Sequence, residues 1–378
     1  MESAPIRVLV VDDTVVYRKA VTEVLSQFPQ VEVVGTANNG RIAMSKIASL
    51  KPDLLTLDIE MPEMNGLDVL AALKKEAPDV SAIVVSTLTH KGGDLTMQAL
   101  ELGAFDYITK PETKSMEESK KEIKKSFDYM LKAFFRHLEM KRILKGKFPF
   151  PQPGHRKKTD DFNDRAVKRM ATIRKKRLKT AKIEIVGIGV STGGPKALSE
   201  MMPSIPPDLN VPILIVQHMP PIFTGSLAKS LDAKCNIEVR EAVDGEVLQP
   251  NVALALIAPG GKQMKVVAGA DGKSRIIRIT DDPPVNSCKP SVDYLFKSIA
   301  QHFVGRAAGV IMTGMGSDGS AGLSLMKRNG STIIAQDEIS CVVYGMPKKA
   351  IDDGIVDIIA PLDKLAEEIC NAVKGFPN

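Results

Sequence analysis

The sequence predicts two successive α/β domains, each on a mostly parallel sheet and joined by a basic linker. Three observations carry this. Short apolar runs alternate with helix-length segments through residues 6–109, the same alternation restarts at Ile183, and the stretch between them is rich in like charge and poor in apolar periodicity. A length of 378 residues suits two or three domains, each long enough to bury a core.

In the first domain, residues 6–12 (IRVLVVD), 31–36 (VEVVGT), 53–58 (DLLTLD), 80–86 (VSAIVVS) and 104–109 (AFDYIT) read as five strands. Helix-length spacers make the sheet parallel and five-stranded. After Pro111, Ile123, Phe127, Met130, Leu131, Phe134 and Leu138 recur at three- and four-residue spacing, as in a helix packing one face on that sheet. The expected boundaries are 1–140 for this domain, 141–182 for the linker and 183–378 for the second domain. The linker carries 16 Lys or Arg against 3 Asp out of an overall charge of +6, so the remainder sums to −7. Because the positive charge sits in a tether and the folded parts are mildly acidic, no nucleic acid is expected as a partner.

In the second domain, strands are expected at 183–189 (IEIVGIG), 211–217 (VPILIVQ), 308–313 (AGVIMT) and 331–335 (STIIA), with a β-rich insert at 235–280. This is a larger, doubly wound α/β sheet. The opening MESAPIRVLVVDD has no basic flank before a long apolar stretch, and no apolar run approaches the roughly 20 residues of a membrane span. A cytoplasmic protein without membrane insertion is expected. Cys235, Cys288, Cys341 and Cys370 are scattered without close pairs, which suits reduced thiols better than disulfides or a zinc site.

The chemistry of the first domain lies at strand ends. Asp12 and Asp13 follow the first strand, Asp58 ends the third, and Lys110-Pro111 follows the fifth; a parallel sheet brings these ends to one rim. Each aspartate alone reads equally well as a helix cap. Together, three carboxylates call for a cation, and Mg2+ suits an oxygen site that keeps water and takes a phosphoryl group, with Lys110 as a point charge beside it. With Asp58-Ile-Glu-Met-Pro-Glu-Met-Asn-Gly66, Ser86-Thr87 and Tyr107-Ile-Thr-Lys110-Pro111, residues 5 to about 135 resemble the receiver domain of two-component response regulators. The resemblance implies a flavodoxin-like fold, Asp58 as phosphoacceptor, Asp12 and Asp13 with Asp58 at magnesium, Lys110 at the phosphoryl oxygens, and a histidine kinase as phosphodonor. It also matches Ser86 to the phosphate-sensing hydroxyl and Tyr107 to the switch aromatic; an insert at His90–Gly93 leaves Thr87 as the alternative hydroxyl.

In the second domain, Gly187-Ile-Gly-Val-Ser191-Thr-Gly-Gly194 follows the first strand and precedes a helical run. A glycine-rich turn of this kind serves either a phosphate at a helix N-terminus or an exposed nucleophilic serine. A dinucleotide site needs an acidic residue ending the next strand, and that strand ends in Gln217-His218 instead. A histidine there is the base a serine hydroxyl requires. Asp318, beyond a later strand, is the candidate to orient it, although Ser317-Asp318-Gly319 alone reads equally well as a plain turn. The order Ser, His, Asp differs from that of α/β-hydrolases.

Through GVSTGGPKAL, VQHMPPIFTGSLA, LALIAPGG, PSVDYLF, TGMGSDGSAG and AQDEISCVVYGMP, residues 183–375 resemble the catalytic domain of chemotaxis protein-glutamate methylesterases. The resemblance implies hydrolysis of glutamate γ-methyl esters on methyl-accepting chemoreceptors, and in some members deamidation of receptor glutamines. It matches Ser191, His218 and Asp318 to the triad and Thr192 and Met315 to active-site lining, with the Met315 N–H a candidate oxyanion donor. No cofactor is expected at the esterase site. Two departures stand out: Cys288 stands where members often have histidine, and the basic linker is long. A scaffold without catalysis and a DNA-binding regulator are the competing classes; the intact Ser191 set argues against the first, and the lack of a helix-turn-helix pattern after the linker against the second.

Overall fold

The computed structural model describes residues 4–111, 115–144 and 182–375. The predicted linker lies, apart from its edges, outside the described residues. The first unit runs β1 (Ile6–Val11), α1 (Val15–Leu25), β2 (Val31–Ala37), α2 (Gly40–Leu50), β3 (Leu54–Asp58), α3 (Gly66–Glu76), β4 (Ser81–Ser86), α4 (His90–Leu102), β5 (Asp106–Thr109) and α5 (Met116–Leu144). Its five strands pair in parallel in the order β2-β1-β3-β4-β5. The order reverses between β1 and β3, and at such a switch point the loops beyond the strand ends diverge and leave a crevice. Strand β3 (LLTLD) is buried throughout, so its apolar residues serve both faces.

The second unit runs β6 (Ile185–Val190), α6 (Gly194–Met201), β7 (Ile213–Gln217), α7 (Phe223–Asp232), β8 (Glu238–Glu241), β9 (Leu254–Ile257), β10 (Gln263–Ala268), β11 (Arg275–Thr280), α8 (Val292–His302), β12 (Ala307–Ile311), α9 (Ser320–Arg328), β13 (Thr332–Gln336), α10 (Met346–Asp352), β14 (Ile358–Ala360) and α11 (Leu362–Lys374). Its seven-stranded sheet has the order β14-β13-β12-β6-β7-β9-β8, and every pairing is parallel. The chain enters at β6, builds toward β8, and returns through β12 on the other side of β6. The switch point therefore lies between β6 and β12.

The segment expected as a β-rich insert divides in two. Strands β8 and β9 extend the main sheet, and only β10 and β11 form a separate antiparallel pair. The run LALI of β9 is too short and too continuously apolar for alternation to reveal which sheet it joins. Helix α8 packs close on β6: a Cβ on Gly189 would fall 2.3 Å from Val292 Cγ1, so only glycine permits that approach. No helix among the described residues is long and apolar enough to cross a membrane.

Candidate active site and acceptor site

At the rim of the first sheet, Asp12 and Asp58 are buried and Asp13 is exposed. Lys110 Nζ lies 2.7 Å from Asp58 Oδ2 and 3.1 Å from Asp12 Oδ2. Backbone donors hold the other oxygens, Ile59 N–H on Asp58 Oδ1 at 2.8 Å and Thr14 N–H on Asp12 Oδ1 at 2.8 Å. Burial pushes the Asp58 carboxyl up to about 6, against the pull of the Lys110 charge and hydrogen bond. Carboxylate oxygens of Asp12, Asp13 and Asp58 lie within 4.8 Å of one another. A hard-oxygen set this tight, with one exposed member, fits a divalent cation that keeps part of its water.

Ser86 and Thr87 line the same small cleft as Asp58, with Glu60 and Gly92. The buried Ser86 hydroxyl accepts from Thr96 Oγ1 at 2.7 Å and donates to the Gly92 carbonyl at 3.2 Å. The Thr87 hydroxyl lies 3.4 Å from that of Thr89. Tyr107 points away from this cleft: its ring stacks on Phe223 of the second unit, with centroids 4.8 Å apart.

In the second sheet, Ser191, His218 and Asp318 follow β6, β7 and β12, the three adjacent central strands. Their backbones are tied together. Ser191 N–H donates to the Thr313 carbonyl at 3.0 Å, and His218 N–H to that of Val190 at 3.1 Å. Gly193, at φ 76°, turns the chain into α6. Gly314 brings the strand beyond β12 against the nucleophile, since a Cβ there would lie 2.7 Å from Ser191 Cβ. Met315 follows in that same turn, packed with Val342 beside the first unit's core.

His218 Nε2 lies 2.9 Å from Asp318 Oδ2. Asp318 is itself fixed at the N-terminus of α8, accepting from Val292 N–H at 2.7 Å, Asp293 N–H at 3.2 Å, Ser291 Oγ at 2.9 Å and Asn286 Nδ2 at 2.8 Å. Burial alone would raise this carboxyl, but His218, Asn286 and the Val292 N–H hold it below its ordinary value. Burial also works against a charged His218; hydrogen bonds to Asp318 and Cys288 outweigh it and push the imidazole up to about 9. Cys288 Sγ lies 3.8 Å from His218 Nδ1. Ser191, His218 and Asp318 thus sit at three adjacent strand ends, with His218 bonded to Asp318 and tied through its backbone to the residue before Ser191, and Thr192 and Met315 lie in the same turns.

Sequence reasoning missed the residues that face this cleft from the first unit. The Tyr129 hydroxyl of α5 meets the side chains of Ser191 and Thr192. The Asp106 carboxyl of β5 meets the Thr192 side chain and the Gly193 N–H. Around them the units are joined by Lys229 and Asp94 at 3.3 Å, Lys234 and Glu101 at 2.5 Å, and Ser230 Oγ donating to Glu101 at 2.5 Å. The α4, β5 and α5 face of the first unit therefore lies over the serine. The supports of Asp318 also escaped sequence reading, although Ser291, placed as N-cap before VDYLF, carried a capping signal.

The CheB methylesterase family matches residues 186–369, and the response regulator receiver domain family matches residues 8–120. A protein-glutamate methylesterase/protein-glutamine glutaminase of Desulfotalea psychrophila is 51% identical over 98% of this chain and 99% of its own length. The proteins of the same name from Bacillus subtilis and Pyrococcus horikoshii are 41% and 39% identical, each over 98% of this chain and covering 99% and 94% of their own lengths. Among solved structures, the Thermotoga maritima CheB methylesterase catalytic domain is 38% identical, with 50% of this chain and 99% of that one covered at a TM-score of 0.48. Collinear identity at this level, over both sheets and both strand-end clusters, makes the chain a member of the CheB methylesterase family, with a response regulator receiver domain ahead of its methylesterase domain.

Proposed function

We propose that this chain hydrolyses γ-methyl esters of glutamate on methyl-accepting chemoreceptors and deamidates receptor glutamines, through Ser191, His218 and Asp318. The observation that carries the reading is the His218–Asp318 bond of 2.9 Å beside Ser191, with Asp318 locked at a helix N-terminus. Ser191 Oγ attacks the ester carbonyl while His218 takes its proton. Because Nε2 is held by Asp318, Nδ1 is the nitrogen that accepts it. The tetrahedral intermediate collapses, methanol leaves with that proton, and water, deprotonated by the same nitrogen, hydrolyses the acyl-enzyme. With a glutamine, ammonia is the leaving group. The Thr192 side chain, the Gly193 N–H and the Met315 N–H are the candidate donors to the oxyanion.

In this reading residues 1–140 are a regulatory domain phosphorylated on Asp58 by a histidine kinase, and 183–378 the catalytic domain beyond a basic tether at 141–182. Asp12, Asp13 and Asp58 would hold Mg2+, which supplies charge neutralisation for the phosphoryl group. Lys110, already against Asp58, is the partner of the incoming oxygens. Tyr129 and Asp106 obstruct the serine in the arrangement described, and phosphorylation, sensed by Ser86 or Thr87 and relayed through Tyr107, shifts the population toward an undocked one. The stacking of Tyr107 on Phe223 gives that switch a direct mechanical link to the interface.

Methanol release from methylated receptor, measured with and without a small-molecule phosphodonor, tests both halves. The natural chain is expected to respond to the donor, and Asp58→Asn to stay at its basal rate. Ser191→Ala is expected to lose roughly 10³-fold or more of the rate; undiminished release from that variant would rule the esterase reading out.

A further inference from the structure

We propose that Cys288 and His218 form a binding site for a borderline transition-metal cation, zinc(II) above all, whose occupancy silences the esterase. Only this consequence rests on the esterase reading. Cys288 Sγ and His218 Nδ1 lie 3.8 Å apart. Tetrahedral zinc with ordinary Zn–S and Zn–N bonds separates its sulfur and nitrogen ligands by about 3.5 Å, so a small movement of the thiol closes the chelate.

Both ligands are already held. Residues Asn286 and Ser287 turn at positive φ, 52° and 63°, and Val285 and Cys288 exchange two backbone hydrogen bonds of 3.1 and 2.9 Å across them. This two-residue hairpin fixes where the thiol points. On the other side, Asp318 holds His218 Nε2, and four donors hold Asp318. A carboxylate on one ring nitrogen with a cation on the other is the outer-shell arrangement that orients histidine ligands and raises their basicity. The donor atoms of His218, Cys288 and Asp318 all fall within 4.8 Å of one another. His218 and Cys288 are both partly exposed, so an ion can reach them and water can complete its coordination.

The donor types give selectivity. A thiolate and an imidazole prefer zinc, cobalt or copper, whereas the oxygen cluster at Asp12, Asp13 and Asp58 suits magnesium, so the two cations do not compete. The bound metal would take the lone pair of Nδ1, the nitrogen assigned to the proton of Ser191, and leave the serine without a base. The other cysteines, Cys235, Cys341 and Cys370, belong to no such cluster among the described residues.

The test uses the full chain, freed of trace metal by a chelator and kept in excess Mg2+ so that the receiver carboxylates are occupied. Zn2+ is titrated while methanol release is followed, each protein being compared with its own metal-free rate. Cys288→Ser is expected to raise the half-inhibiting zinc concentration about tenfold or more. In parallel, Co2+ is expected to give a thiolate-to-cobalt charge-transfer band in the natural chain and in Cys341→Ser, but not in Cys288→Ser. Equal zinc inhibition of both proteins, or a cobalt band that is missing from the natural chain or survives in Cys288→Ser, overturns the proposal. If neither protein releases methanol the esterase reading fails, and the cobalt band still decides the metal site.

Discussion

Asp318 accepts four hydrogen bonds besides the one it shares with His218, and a carboxylate so held cannot turn away from its histidine. Each bond to a charged acceptor is worth about 1.5–3 kcal/mol, so the set fixes the ring before substrate arrives. Asn286→Ala removes the one side-chain donor that comes from the turn before α8. It is expected to lower kcat about tenfold while moving KM little, as steady-state methanol release will measure. The His218 imidazole, held near 9 against an ordinary 6.5, sets the pH dependence. Its cation is favoured in the folded chain, so the stability it contributes is complete below 6.5 and lost as pH rises through about 9. In the proposed mechanism the free base that Ser191 needs appears over the same rise. The expected profile of kcat/KM climbs from neutral pH to about 9, and a profile already flat at pH 7 would contradict that assignment.

Helix α5 illustrates what periodicity reveals and what it hides. Ile123, Phe127, Met130, Leu131 and Phe134 are all buried, as their spacing requires, so the sequence told which face packs on its own sheet. Tyr129 falls off that stripe and remains 38% exposed, which is how a surface tyrosine reads in any sequence. Its hydroxyl nevertheless meets Ser191 and Thr192, a partnership between distant segments that no local pattern encodes. The same reason kept Asp106 from view, whereas Ser191, His218 and Asp318 were legible because parallel strands deliver their ends to one rim. Tyr129→Phe removes the hydroxyl that faces Ser191 and Thr192 and, in the proposed regulation, is expected to raise the unphosphorylated rate roughly twofold or more, as methanol release will measure. Asp106 acts in the opposite sense. Burial pushes its carboxyl from 3.8 up to about 7, with the Tyr107 and Gly193 N–H groups and the Thr192 side chain opposing. Its protonated form is thus favoured in the docked arrangement, and docking weakens as pH rises from about 4 to about 7 and changes no further above that. Asp106→Asn keeps the acceptor without the charge. It is expected to dock more tightly, lower the unphosphorylated rate, and lose that part of the pH dependence.

At the scale of the whole molecule, the interface combines apolar contacts with a ring of charges. Tyr107 on Phe223, and Met315, Val342 and Val343 against the first unit's core, supply the former, and Asp94 with Lys229 and Glu101 with Lys234 the latter. The two sheets were readable separately because each is written in local alternation. Their docking was not, because α4 and α7 pair through residues about 130 positions apart that look like ordinary solvated charges. Such an interface suits regulation. Exposed pairs contribute about 0.2–1 kcal/mol each and are screened by salt, so in the proposed switch a few kcal/mol from phosphorylation would open it. Glu101 is the group to test, since it meets both Lys234 and Ser230. Glu101→Lys places like charges together and is expected to raise the unphosphorylated methylesterase rate a few-fold, with little effect on the phosphorylated rate, since the proposed switch already breaks the contact there. Raising ionic strength is expected to raise the basal rate of the natural chain toward that of the variant. Reversing both partners, Glu101→Lys with Lys234→Glu, restores the attraction and is expected to bring the basal rate back down. A double variant as active as the single one would mean that Glu101 acts on catalysis by some route other than the contact between the two units.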